Sequence, residues 1–115
     1  IDGQDVRAVH PKDQLFTCEN VKVFMTHIGG YPNRYNQHSL EKIKTHKPQL
    51  FICGHSHILK VMWDKQHNLL HINPGAAGVH GFHKVKTLVR FTVDNSNIKN
   101  LEVIELGPRT DNIPI

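Results

Sequence analysis

Gly54-His55-Ser56-His57 places two imidazoles two residues apart, directly after the apolar run Leu50-Phe51-Ile52-Cys53. A third imidazole, His27, follows the β-prone run Val21-Lys22-Val23-Phe24-Met25-Thr26. Imidazole nitrogen is a good donor to Zn, Mn, Fe, Co and Ni. In an extended segment, alternate residues face one side, so His55 and His57 would point together and Ser56 away. Ligands spaced this way can serve two metals about 3.5–4 Å apart. Gly54, lacking a Cβ, would let the backbone turn sharply at that point. A lone histidine at a strand end is ordinarily a hydrogen-bonded structural residue. Three of them delivered by two strand ends read instead as a metal site.

The elements that must position these groups are legible as local patterns. Residues 15–18 and 21–26 are β-prone, and Glu19-Asn20 between them suits a two-residue hairpin turn. His27 opens a Gly- and Pro-rich loop, His27-Ile28-Gly29-Gly30-Tyr31-Pro32-Asn33. A helix is expected from about Asn36 or Ser39, with Leu40 and Ile43 at helical spacing and Pro48 as its stop. The strand at 50–53 follows, which makes a βαβ unit whose two strands should be parallel neighbours. In such sheets, sites form beyond the carboxyl ends of the strands, and both His27 and the His55/His57 pair would lie there. Residues 58–63 and 69–72 read as a second hairpin around a polar turn. Asn73-Pro74-Gly75 is a turn. Residues 86–93 alternate as a strand, Asn95-Ser96-Asn97 turns the chain, and 98–106 returns. The expected organisation is one domain segment over 1–107 and a loose tail over 108–115.

Composition narrows the class. The 115 residues are 38% hydrophobic and 21% charged, which suits a single globular domain. No apolar stretch approaches the roughly 18 residues of a membrane span, and no signal peptide is visible. The chain does not begin with Met, so position 1 is not expected to be the native start. The formal charge is +4, but the 14 Lys and Arg are scattered rather than gathered into a stripe with interleaved aromatics. Specific nucleic-acid binding is therefore not expected. Cys18 and Cys53 lack metal or redox spacing, Cys53 should be buried, and both fit a reducing cytoplasm.

Phe51-Ile52-Cys53-Gly54-His55-Ser56-His57 and Met25-Thr26-His27-Ile28-Gly29 resemble the last two metal-binding motifs of the calcineurin-like metallophosphoesterases. Asn73-Pro74-Gly75-Ala76 resembles the Asn-Pro-Gly-Ser segment of that superfamily's small bacterial and archaeal phosphodiesterase branch, which includes the retromer subunit Vps29. The resemblance runs from residue 1 to about residue 93. It implies a two-sheet α/β sandwich, incomplete here because no Asp-x-His or Gly-Asp precedes these motifs. Ile1-Asp2 fits the last two positions of the family's Gly-Asn-x-Asp, so the chain looks like the C-terminal part of the domain. With Ile1 at the variable position, the catalytic histidine of some branches is absent, as in the small phosphodiesterases.

The same resemblance implies two divalent metal ions, Mn²⁺ foremost, with Zn²⁺, Ni²⁺, Fe or Co²⁺ as alternatives. His27 and His55 would hold one ion with an Asn and a bridging Asp. His57 would hold the other with the Asp-x-His pair. A metal-bridging hydroxide would attack phosphorus in a phosphodiester or other phosphate ester, and no side-chain base is assigned. The alternative is a Vps29-like binding scaffold without catalysis. Alone, these 115 residues should be inactive.

Asn33 and Arg34 in the loop after His27, and His80 and His83 after Gly78, are candidate substrate contacts. His10, before Pro11, should be structural. His38 and His46 should flank the helix in solvent, and His67 should sit in the hairpin turn. His71 lies close enough to Asn73 to stand behind the ligands. Trp63 suits packing or an interface. Exposed strand edges would favour a homo-oligomer.

Overall fold

A computed structural model describes residues 4–110. The expected match of Ile1-Asp2 to an Asn-x-Asp motif, and the last residues of the tail, 111–115, lie outside the described residues. The chain begins with a six-residue helix, α1 (Gln4–Val9), which closes with the amide of His10 on the carbonyl of Val6 at 2.8 Å. Pro11 then prevents continuation. One and a half turns are too short to show helical periodicity, so this element leaves no sequence pattern.

Strands β1 (Asp13–Cys18) and β2 (Val21–Thr26) form the expected antiparallel hairpin, with Cys18 opposite Val21. Glu19 and Asn20 both adopt positive φ, 45° and 65°. Two left-handed residues give the turn the twist of the flanking strands. Helix α2 (Gln37–His46) starts at Asn36, whose Oδ1 accepts from the amide of Ser39 at 2.8 Å. It ends where Lys47 turns left-handed and donates its N–H to the carbonyl of Ile43, just before Pro48. Strand β3 (Leu50–Ile52) follows and pairs parallel with β2, as the βαβ pattern requires.

Strands β4 (Leu59–Asp64) and β5 (Leu69–Pro74) make the second hairpin. It is β5, not β4, that lies beside β3, again in parallel, so the sheet order is β1-β2-β3-β5-β4. The three parallel strands are central and the two antiparallel strands form the edges. Strands β6 (Val85–Asp94) and β7 (Asn97–Pro108) form a separate two-stranded sheet with two register shifts. β7 runs through Gly107 to Pro108. Arg109 is then tied to the carbonyl of Lys84 at 2.9 Å, so the ordered chain continues past the expected end of the last strand.

Each face of the larger sheet is covered by a different layer. On one face Ile43 of α2 packs with Phe24, Phe51, Cys53 and Leu69, and the rings of Phe24 and Phe51 stack at 4.9 Å. On the other, Val89, Phe91 and Val93 of β6 with Ile98 and Leu101 of β7 cover Val21, Val23, Leu50 and Ile72. Each apolar side chain fully withdrawn from water contributes about 1.5–3 kcal/mol. The result is the two-sheet α/β sandwich expected from the sequence. Among the described residues, no helix is long and apolar enough to cross a membrane.

Candidate metal centre

His27 leaves β2 at its carboxyl end, and Gly54 leaves β3 at the same edge. The amide of Gly54 donates to the carbonyl of His27 at 2.8 Å, which locks the two strand ends together. As a result, the rings of His27 and His55 meet edge to face with centroids 5.0 Å apart. Their sequence separation is large, and only the parallel pairing of β2 with β3 brings them together.

The Gly54–His57 segment is not extended as expected. His55 and His57 both adopt left-handed backbone conformations, with φ of 73° and 62°. Such a conformation costs about 1–2 kcal/mol for a residue with a Cβ. Gly54 itself has no such φ, and a Cβ there would meet only the carbonyl oxygen of His27, at 3.8 Å. The sharp turning therefore happens at the two histidines rather than at the glycine. One consequence is that the imidazoles part company: His55 meets His27, whereas His57 meets His83, with ring centroids 5.3 Å apart.

Backbone strain of this kind needs surrounding bonds to hold it. Ser56, between the two histidines, supplies them. Its hydroxyl pairs with the Tyr31 hydroxyl, accepts from Nδ2 of Asn73 at 3.1 Å, and accepts from the amide of Ile58 at 3.2 Å. Nδ2 of Asn73 also donates to the carbonyl of Gly54 at 3.2 Å, and Asn73 is buried. Its Oδ1 accepts from the amide of Gly75 at 3.0 Å. Asn73-Pro74-Gly75 thus does more than turn the chain: it clamps the histidine loop. Thr87 of β6 secures the turn in its place by donating to the carbonyl of Pro74 at 2.7 Å. The turn chemistry of this tripeptide was visible in the sequence, but its partner, nearly twenty residues upstream, was not.

The remaining candidates fall into distinct surroundings. Asn33, at φ 72°, and Arg34 are exposed on the loop after His27. Asn33 lines a cleft of about 450 Å³ with Met62 and Trp63, and the Trp63 side chain is exposed. His80 is exposed. His83 is buried, with Nε2 2.9 Å from the carbonyl of Gly78. His10, Lys12, Met25, His27, Ile52 and Gly54 line a larger concavity of about 790 Å³ at the carboxyl end of the sheet. His38 pairs with Asp13 at 2.6 Å. Burial of Asp13 works against its charge, but hydrogen bonds from His38 and Thr26 hold the carboxyl below its usual range.

His67 sits in the hairpin turn on Asp64, at 2.9 Å, and Asp64 also accepts from the Tyr35 hydroxyl at 2.8 Å. His71 is fully buried among the rings of Tyr31, Tyr35 and Phe51, with neither ring nitrogen hydrogen-bonded. Burial pushes its pKa down to about 4, so its ring is neutral. Cys53 is buried as expected, with its thiol pushed up to about 11, and Cys18 is exposed.

Residues 1–96 match the family model of the calcineurin-like phosphoesterase superfamily domain. The chain belongs to the calcineurin-like phosphoesterase superfamily. Members of this superfamily are generally hydrolytic phosphoesterases. Comparison with curated proteins gives no match. Solved structures share the fold. An archaeal phosphodiesterase is 22% identical, with a TM-score of 0.62, over 90% of this chain and 57% of its own. A Thermotoga maritima protein is 21% identical, with a TM-score of 0.60, over 92% and 61%. Vps29 of Entamoeba histolytica, solved with Zn²⁺, is 17% identical, with a TM-score of 0.58, over 82% and 60%. The chain thus spans about three-fifths of the length of these solved structures.

The donor set can be judged against the metal that this superfamily typically binds. Among the described residues, no group of three or more His, Cys, Asp or Glu is gathered tightly enough to hold an ion. What is gathered is a pair of imidazoles, His27 and His55, with a third, His57, on the same loop. Their chemistry fits a divalent transition ion, and their number fits part of its coordination shell.

Proposed function

We propose that the protein carrying this chain is a divalent-metal phosphodiesterase in which His27 and His55 serve one ion and His57 a second. The observation that carries this reading is the 5.0 Å meeting of the His27 and His55 rings at adjacent strand ends. Two loops converge there, one of them held in a costly backbone conformation by Asn73, Ser56 and Tyr31. Expenditure of that kind is typical of sites that must present particular side chains.

Two divalent ions, Mn²⁺ foremost, would supply Lewis acidity toward a phosphate oxygen and lower the pKa of a bound water. The chain's own residues hold and orient. Asn73 fixes the loop, and the αL backbone aims His55 toward His27. The concavity beside His27, with His10 and Lys12 on its wall, gives a phosphate ester room to approach, and the exposed Asn33, Arg34 and His80 are the further contacts. His83 is buried and reaches the site through His57. The free thiols, Cys18 exposed and Cys53 buried, support a reducing, cytoplasmic setting.

The test is hydrolysis of bis-p-nitrophenyl phosphate by the full-length protein with Mn²⁺, Ni²⁺ or Zn²⁺. Metal-dependent turnover is expected. Its absence with all three ions would leave the binding-scaffold reading that the Vps29 likeness also supports. The 115 residues alone should show no comparable activity, because the described residues gather no set of three or more metal-ligating side chains.

A further inference from the structure

His83 stands behind His57 in a way that packing alone does not account for. Its side chain is 4% exposed, and Nε2 lies 2.9 Å from the carbonyl of Gly78. A carbonyl only accepts, so Nε2 carries the hydrogen, and in the neutral ring Nδ1 is a bare acceptor. That Nδ1 is buried and has no hydrogen-bond partner. Buried polar atoms are almost always satisfied, so an orphan marks a place where something is missing.

What faces the orphan is His57, whose ring lies edge-on to that of His83 with centroids 5.3 Å apart. Gly81 locates the two nitrogens. A Cβ built on Gly81 would lie 2.2 Å from Nδ1 of His57 and 3.1 Å from Nδ1 of His83. Both Nδ1 atoms therefore lie against residue 81, and the His57 ring sits where a side chain at that position would be. The φ of Gly81, +124°, is itself one that residues with a Cβ rarely adopt.

The loop that carries Gly81 and His83 is anchored by Arg109. Nε of Arg109 donates to the carbonyl of His83 at 2.7 Å, and Nη1 of Arg109 donates to the carbonyl of Val79 at 3.2 Å. Phe82, between Gly81 and His83, is 99% exposed, so its own side chain contributes nothing to holding the loop.

We propose that His83 is a positioning residue for His57: its buried Nδ1 is the acceptor toward which the Nδ1 hydrogen of His57 turns, the two atoms lying beside Gly81. This arrangement would leave Nε2 of His57 as the lone-pair nitrogen available to a metal ion. Ligand histidines characteristically donate their second ring N–H in this manner, which fixes tautomer and ring orientation. The proposal rests on His57 being a ligand, as argued above.

The experiment uses the full-length protein and reads Mn²⁺ and Zn²⁺ affinity by titration calorimetry, with His57→Ala as the control. His83→Leu keeps the bulk and removes the acceptor, and should weaken metal binding about 10- to 100-fold. His83→Gln restores an acceptor and should recover part of the loss. Gly81→Ala presses on Nδ1 of His57 and should weaken binding with residue 83 still a histidine. In the metal-free wild type, ¹⁵N shifts should show His57 with its hydrogen on Nδ1. Wild-type affinity in His83→Leu, alongside loss in His57→Ala, would reduce His83 to a packing residue. An Nε2–H tautomer at His57 would do the same, and needs no variant to fold. Wild-type affinity in His57→Ala would instead overturn the ligand reading itself.

Discussion

Nδ2 of the buried Asn73 donates to the hydroxyl oxygen of Ser56 at 3.1 Å, across the junction between β5 and the histidine loop. The same nitrogen reaches the carbonyl of Gly54 at 3.2 Å. Asn73→Ala removes both bonds and leaves the Gly54 carbonyl without this donor. Stability should fall by about 1–3 kcal/mol in denaturant unfolding. Metal content should fall as well, because His55 and His57 lose the clamp on their αL backbone. A variant of unchanged stability and metal content would show that the clamp is dispensable.

His27→Ala, His55→Ala and His57→Ala should each reduce bound metal and phosphodiester turnover in the full-length protein. The His27 and His55 changes should resemble one another, since their rings meet, whereas His57 belongs to a separate neighbourhood. Wild-type metal content in all three variants, measured by elemental analysis after dialysis, would refute the ligand assignment.

His71 should make the fold sensitive to mild acid. Its folded pKa of about 4 lies below the ordinary histidine value of 6.5, so above pH 6.5 neither state binds the proton and its contribution is intact. As pH falls from 6.5 to 4, the unfolded chain takes up a proton that the folded ring refuses, and stability is lost. The carboxyls of Asp13 and Asp64, both held below 3.8, lose their contributions only at lower pH. Urea unfolding at pH 7 and pH 5 should show the difference, and His71→Leu should flatten it. An equally steep pH dependence in the variant would assign the effect elsewhere.

Gly75→Ala should destabilise the turn that carries Asn73. Gly75 has φ +77°, and an added Cβ would lie 2.1 Å from Oγ1 of Thr87. The unfavourable φ alone costs about 1–2 kcal/mol, and displacement of Thr87 breaks its bond to the carbonyl of Pro74. A melting temperature equal to wild type would show that the turn adapts.

Much of the fold is readable locally because the signals are local. Asn36 caps α2, Pro48 follows its end, and Glu19-Asn20 turns the first hairpin, each within a few residues of what it controls. The apolar run before Gly54 correctly marks a central strand, and its parallel partner follows from the intervening helix. Helix α1 escaped because six residues carry no period. The position of β5 between β3 and β4 escaped because strand order is decided by long-range burial, and Leu69 and Ile72 of β5 are core residues on opposite faces.

The sequence by itself determined that His27, His55 and His57 would follow strands at the carboxyl edge of a sheet, because strand ends and loop residues are local properties. Only the tertiary structure decided which imidazole meets which. The left-handed backbone at His55 and His57 is held by Tyr31 and Asn73, residues far from that loop in sequence. It sends one ring to His27 and the other to His83. Ring direction depends on bonds that close only once β2, β3 and β5 lie side by side, and no short-range pattern records them.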